Sequence, residues 1–321
     1  MTKIIAEFCQ NHNGDFDLLS QMVEDAAESG ATHGKMQTIF ADTITYRPQF
    51  ENGLVQGGKV KSITRPYLDE YQRLKGLEIS NTETEKFINL CKENGLIPMT
   101  TCFVKSHVNH LADIGFRSIK VASYDCASFP LLRDLADKFD EIVVSTGATF
   151  DDEVEYAANI LKGKNFSMLH CVTLYPTPLE EMHMARMAWL RTLSPSVGYS
   201  DHSLVSKTGI VASKAALALG ADIIERHFTI LAANETRDGP VSINKEQLKE
   251  LSNFSKLSIA DRLVKMDEDH PEWKVVIGQG KRKLTSEELL NRDYYRGRFA
   301  SPRKETVSGT RMIYNWEDVP I

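Results

Sequence analysis

Two histidines, His202 and His227, stand in the strings Tyr199-Ser200-Asp201-His202-Ser203 and Ile224-Glu225-Arg226-His227-Phe228, each at the end of a strand-like run. Neighbouring strands of a sheet lie ~4.8 Å apart, so two imidazoles at matching heights can share one divalent ion. With positions left open for water and substrate, such a pair suits Mn²⁺, Co²⁺ or Zn²⁺ acting as a Lewis acid. Spacing alone leaves a plainer reading open, since a buried histidine is often a hydrogen-bonded core residue. His170, inside its run, fits that core role, and His12, in the first loop, fits either.

Two lysines, Lys35 and Lys120, occupy the same kind of position among the hydroxyls of Thr100, Thr101, Ser123 and Ser200. An ammonium is a compact donor suited to phosphate or carboxylate oxygens, and this company would cradle a small phosphorylated anion. The alternative is that each lysine merely neutralises Glu7 or Asp125. Those two carboxylates are the candidates for proton transfer, and either needs burial to raise its pKa before it can act as an acid near neutrality. Further polar residues recur where runs end: Gln37, Ser145 with Thr146, and Thr173 with Tyr175. Cys9, Cys102 and Cys171 lie near such ends without a histidine partner in sequence and read as small packing residues rather than nucleophiles.

The elements that must hold these groups alternate. Strands are expected over 4–8, 34–38, 97–103, 118–122, 141–145, 166–171, 196–199 and 222–225. Helices are expected over 16–29, 82–94, 107–114, 129–138, 151–161, 179–193, 207–219 and from 245 to about 266. Ser80 with Glu83 forms a capping box, and Gly30, Gly95, Gly115 and Gly220 follow helix ends. Eight strand–helix units predict a (β/α)8 barrel, whose useful side chains gather at the C-terminal ends of the strands. An open doubly wound sheet is the competitor, but the first loop, Cys9-Gln10-Asn11-His12-Asn13-Gly14, lacks the Gly-rich phosphate fingerprint of that fold. Residues 39–79 form a long connection of the kind used as a lid or a subunit contact. After about 278 the chain turns basic and irregular, enough for a couple of strands but not a core.

Composition agrees with a globular chain able to bury a sizeable core. The 321 residues are 42% apolar and 26% charged, with a formal net charge of −6 that argues against a nucleic-acid or anionic-membrane surface. No unbroken apolar stretch approaches the ~18 to 20 residues of a membrane helix. The opening segment meets Glu7 after three apolar residues, too soon for a secretory signal. The five cysteines are scattered and free of CxxC pairs, which predicts a reducing, cytoplasmic setting.

Longer strings carry a resemblance. Ile5-Ala6-Glu7 with Asn11-His12-Asn13-Gly14, Lys35-Met36-Gln37-Thr38, Tyr71 through Leu77-Glu78-Ile79-Ser80, and Lys120-Val121-Ala122-Ser123 occur in one order. Ser145-Thr146-Gly147-Ala148, His170-Cys171 with Tyr175-Pro176-Thr177-Pro178, Val197 through His202, and Glu225-Arg226-His227-Phe228-Thr229 continue it. Over about residues 3 to 240 the chain resembles the sialic acid synthase (N-acetylneuraminate synthase) family, with its legionaminic, pseudaminic and spore-coat polysaccharide members. The resemblance implies a barrel that condenses phosphoenolpyruvate with the open-chain aldehyde of an N-acylated hexosamine. The products would be a 2-keto-3-deoxy sugar acid and phosphate. It implies that Lys35, Thr101, Lys120, Ser123 and Ser200 hold phosphoenolpyruvate, and that His202 and His227 bind Mn²⁺ or Mg²⁺. Gln37, Asp125 and Tyr175 would contact the sugar, Glu7 would handle a proton, and the protein would be a homodimer.

Three departures stand out. Thr173 replaces a common Asn and would make a weaker anion contact. The sugar-binding Gly-Pro-Asp reads Gly239-Pro240-Val241. Residues 281–321, after a synthase domain over 1–280, cover only the start of the family's C-terminal antifreeze-like domain, a start that Arg296 and Arg298 resemble. Two other functions remain as alternatives: a pyruvate aldolase with a Schiff base on Lys120, and a degenerate barrel that binds a sugar or organises partners.

Overall fold

The computed structural model describes residues 2–306 and 309–321. The strands among them are, in chain order, β1 (Lys3–Cys9), β2 (His33–Gln37), β3 (Leu54–Gln56), β4 (Lys59–Ser62), β5 (Ile97–Thr101), β6 (Ser118–Val121), β7 (Glu141–Ser145), β8 (Phe166–His170), β9 (Ser196–Asp201), β10 (Ile223–His227), β11 (Ser301–Thr306) and β12 (Gly309–Ile313). Eight of them close a barrel in the order β1-β10-β9-β8-β7-β6-β5-β2, and each pairing within it is parallel. Nearly every barrel-strand residue is buried, as expected when helices cover the outside and side chains fill the inside. The eight-unit reading therefore holds, and the open sheet is excluded by closure of β1 on both β2 and β10.

Side chains alternate along a strand, and the barrel interior is layered accordingly. Ile5, Met99, Val143, Leu169 and Ile223 form an apolar plug. At the N-terminal end of the strands, Glu141 gathers Lys3, His33 and Ser118. Two residues beyond the plug the inward positions turn polar, with Glu7, Thr101, Ser145 and Glu225. Register then fixes neighbours: Glu7 lies opposite Lys35 on one side and His227 on the other, Glu225 opposite Ser200, and Thr101 opposite Lys120.

Three expected helices are cut. In 179–193 only a 3₁₀ turn, Leu179–Glu181, and a short helix, Arg186–Leu190, form. His183 between them adopts φ 48°, and the amides of Met184 and Ala185 donate to Val276 and Ile277 instead of continuing a helix. Gly209 at φ 54° splits 207–219 into Val205–Thr208 and Val211–Ala218. The last stretch is two helices, Lys245–Ser255 and Ile259–Asp269, the second capped by Ser258. No described helix is long and apolar enough to cross a membrane.

The long connection holds the β3–β4 hairpin and a helix, Tyr67–Lys75. The C-terminal segment contributes a helix, Ser286–Tyr295, and the β11–β12 hairpin; positions 307 and 308 of the expected 281–321 extension lie outside the described residues. These two segments pack on each other across the mouth of the barrel. Ile39, Ala41, Ile44, Leu74, Val104 and Phe299 share one apolar cluster, and Ile44 bridges to Phe299.

Candidate active site

The polar layer opens into an inner chamber of about 90 Å³, adjoined by an outer chamber of about 460 Å³. Gln37, Tyr175 and His227 line both. Glu7, Lys35, Thr101, Lys120, Ser123, Ser200 and His202 reach the inner chamber, and Asp125 the outer one. Thr173 lines neither; it is buried, and its carbonyl accepts from Asn291 Nδ2 at 2.8 Å. A separate cavity of about 390 Å³ beside Arg186 and Arg282 contains none of these groups.

Four opposite charges meet with almost no exposure: Glu7, Lys35, Lys120 and Glu225. Lys35 pairs with Glu7 and, at 3.1 Å, with Glu225; Lys120 pairs with Glu225 at 2.9 Å. Ser200 Oγ adds a 2.7 Å hydrogen bond to the same carboxylate. Burial opposes charge on Glu225, yet Lys120, Lys35 and Ser200 hold its pKa well below the ordinary carboxylate range. Burial lowers Lys35 to about 7, with Glu225 opposing the shift and Lys120 adding to it. Glu225 was expected with His227 among the polar strand-end residues of the pocket but was given no role of its own, and the alternation that turns His227 inward turns residue 225 inward too. Asp125, which the alternative reading paired with a lysine, accepts from Ser128 Oγ at 2.8 Å and Asn315 Nδ2 at 2.9 Å.

A bulge positions Glu7. Register between β1 and β2 shifts between Glu7 and Cys9, Cys9 takes φ 40°, and its amide donates to Glu7 Oε1 at 2.7 Å.

The two histidines come together, with ring centroids 5.6 Å apart. His202 Nδ1 donates to the Val172 carbonyl at 3.0 Å, which leaves Nε2 facing the chamber, 3.0 Å from the Tyr175 hydroxyl. His227 Nδ1 is buried without a hydrogen-bond partner among the described residues. Burial lowers His202 to about 4 and His227 to about 3, so both rings are neutral near pH 7. Neutral imidazoles with a lone pair turned inward, one of them oriented by a backbone carbonyl, fit a divalent metal ion. A further triad of potential ligands, Cys9, His227 and Asp238, has its donor atoms within 4.8 Å of one another.

Two further histidines make local structural contacts. His170 Nε2 hydrogen-bonds the Met182 carbonyl, as its core position suggested, and His12 Nδ1 accepts from the Gly14 amide at 3.1 Å. The five cysteines are free and buried.

Beyond Gln37, Asp125, Tyr175 and His227, local sequence did not mark the walls of the outer chamber. Arg73, Arg237 and Arg298 come from three distant segments and share one carboxylate, Glu70. Asn291, Tyr295 and Arg298 bring the C-terminal segment to the cavity wall, and Tyr295 stacks on Tyr124 with centroids 4.9 Å apart.

Comparison with known proteins agrees with this layout. N,N'-diacetyllegionaminic acid synthase of Legionella pneumophila is 30% identical over 317 residues, covering 96% of this chain and 82% of that protein. The enzyme of the same name from Campylobacter jejuni is 32% identical over 264 residues, covering 78% and 74%. The crystal structure of an N-acetylneuraminic acid synthetase from Leptospira borgpetersenii, in complex with citrate, superposes with a TM-score of 0.69 at 26% identity, over 91% of this chain and 90% of that one. A model of the NeuB family matches residues 22–260, most of the barrel. The chain belongs to the NeuB family.

Proposed function

We propose that this protein condenses phosphoenolpyruvate with the open-chain form of an N-acyl-hexosamine-type aldose, giving a sialic-acid-like 2-keto-3-deoxy acid and phosphate. One observation carries the reading: a buried pair of ammonium groups, set among hydroxyls and carboxylates, opens onto two neutral imidazoles. Lys35 and Lys120, with Thr101, Ser123 and Ser200, would hold the anionic three-carbon substrate. Gln37, Asp125 and Tyr175 face the larger chamber, where the sugar would lie, and Thr173 would support that wall through its backbone. His202 and His227 would hold a divalent ion, Mn²⁺ or Mg²⁺. When bound, the ion supplies Lewis-acid polarisation of the aldehyde oxygen.

The side chains account for the rest of the chemistry. C3 of the enol forms the new bond to the aldehyde carbon, and positive charge develops at C2 beside Glu7 and Glu225, which stabilise it. Water adds at C2, with Glu7 handling its proton. The tetrahedral centre then expels phosphate by C–O cleavage while the two lysines steady the leaving group. Enclosing both substrates in adjoining chambers supplies the proximity term. We read 281–321 as the opening of an antifreeze-like domain set on the synthase barrel of 1–280, in a cytoplasmic homodimer.

A phosphate-release assay with phosphoenolpyruvate and a panel of N-acyl hexosamines and simple aldoses tests this. Release should require an aldose and stop with chelator; no release across the panel would overturn it. A pyruvate aldolase would form its Schiff base on Lys120, whose amine is engaged by Glu225 at 2.9 Å. Borohydride with pyruvate should accordingly leave the protein unlabelled.

A further inference from the structure

We infer that Cys9 and Asp238 join His227 as protein ligands of the divalent ion, making the centre a mixed sulfur, nitrogen and oxygen site. The inference rests on the reading that an ion sits at this mouth and deepens it by naming the donors and hence the class of metal.

Three observations meet here. Ligand atoms of Cys9, His227 and Asp238 lie within 4.8 Å of one another, and Cys9 Sγ is 3.2 Å from Asp238 Oδ2. His227 is 93% buried by its 7% exposure, and its Nδ1 has no hydrogen-bond partner among the described residues. Cys9 is fully buried at φ 40°, a left-handed conformation in which glycine would be the unstrained choice. A side chain kept at such a position has a task that outweighs the strain, and here the thiol is turned toward Asp238.

The loop that brings Asp238 is fastened to the loop bearing Cys9. Buried Asn11 donates to the Phe228 carbonyl and to Ser242 Oγ, both at 2.9 Å, and accepts from Thr236 Oγ1 at 2.8 Å. Gly239 follows Asp238 where any Cβ would meet the Ala233 carbonyl oxygen at 2.3 Å, so the turn is held tightly. His202, 5.6 Å away between ring centroids, stands beside the triad with Nε2 turned inward. A thiolate among imidazole and carboxylate donors selects borderline ions such as Zn²⁺ or Co²⁺ and disfavours Mg²⁺, which prefers all-oxygen surroundings. On binding, Cys9 releases its S–H proton to solvent and the sulfur lone pair forms the bond to the ion.

The test titrates chelator-treated full-length protein with Co²⁺ and records its spectrum. A thiolate-to-cobalt charge-transfer band in the near ultraviolet, absent in Cys9→Ser, together with affinity weakened on the order of 100-fold in Asp238→Asn, is the expected result. X-ray absorption of the Zn²⁺-loaded wild type needs no variant and should show a sulfur neighbour at about 2.3 Å. Cobalt bound with d–d bands alone, unchanged in Cys9→Ser, or a zinc shell of nitrogen and oxygen only, would overturn the inference while leaving a two-histidine ion site standing. No cobalt bound at all would overturn both.

Discussion

Asp125 sits in the wall of the outer chamber, and its surroundings make its charge expensive. Burial raises its pKa from 3.8 to about 6, against the hydrogen bonds from Asn315 and Ser128 that favour the ionised form. Between pH 4 and 6 the folded protein therefore holds more protons than the unfolded chain, and stability contributed by this residue is lost as pH rises through that window. Asp125→Asn can accept the same two hydrogen bonds without ionising. Its melting temperature should match wild type near pH 4 and exceed it above pH 6; a difference that stays constant from pH 4 to 8 would refute the assignment. Glu225 teaches a related lesson at the same scale. Its importance comes from two lysines on other strands, Lys35 and Lys120, and only pairing register places all three together. Residue type and strand position revealed Glu7, both lysines and both histidines, but not which carboxylate would bridge them.

Strands were the most legible elements, because a buried parallel strand is a short apolar run between turn signals and little else competes for that pattern. Helix ends were legible where a cap lies in the local sequence, as at Ser80, whose side chain and Glu83 form the expected box. Helices failed where tertiary contacts override propensity: the amides after His183 are taken by Val276 and Ile277, far along the chain. Ser258 and Asp261 did mark a new helix start inside an apolar-periodic stretch, but periodicity alone ran straight through it. The barrel's tightest requirement is at Gly198 in β9. A Cβ there would stand 2.3 Å from the Ile223 carbonyl oxygen and 2.6 Å from Leu169 Cδ2, inside the apolar plug. Gly198→Ala should destabilise the fold by about 3 kcal/mol, seen as a clear fall in the denaturation midpoint. An unchanged midpoint would mean that β9 and β10 are less closely packed than described.

At the scale of the molecule, the outer chamber is finished by parts of the chain that meet only after folding. Glu70 from the long connection holds Arg73, Arg237 and Arg298, and Asn291 ties the C-terminal helix to the Thr173 carbonyl. Arg292 secures the same helix through the Ala148 carbonyl and Glu153, and Asn315 fastens the hairpin end to Phe103 and Asp125. Apart from the i,i+3 pair of Glu70 and Arg73, none of this was readable locally, since each other contact joins residues more than a hundred positions apart. All these ties lie within one chain, so the part of the wall they fasten is held without a neighbouring copy. Specific activity at saturating substrates should then stay constant on dilution through the range where any dimer, followed by sedimentation, comes apart. Arg292→Ala should do in one chain what dilution does not: with the helix loosened, KM for the aldose rises about tenfold, the size expected from losing a charged hydrogen bond. KM for phosphoenolpyruvate should hold, because the inner chamber is walled by the barrel alone. Activity that falls in step with dissociation would show instead that a neighbouring copy supplies part of the wall.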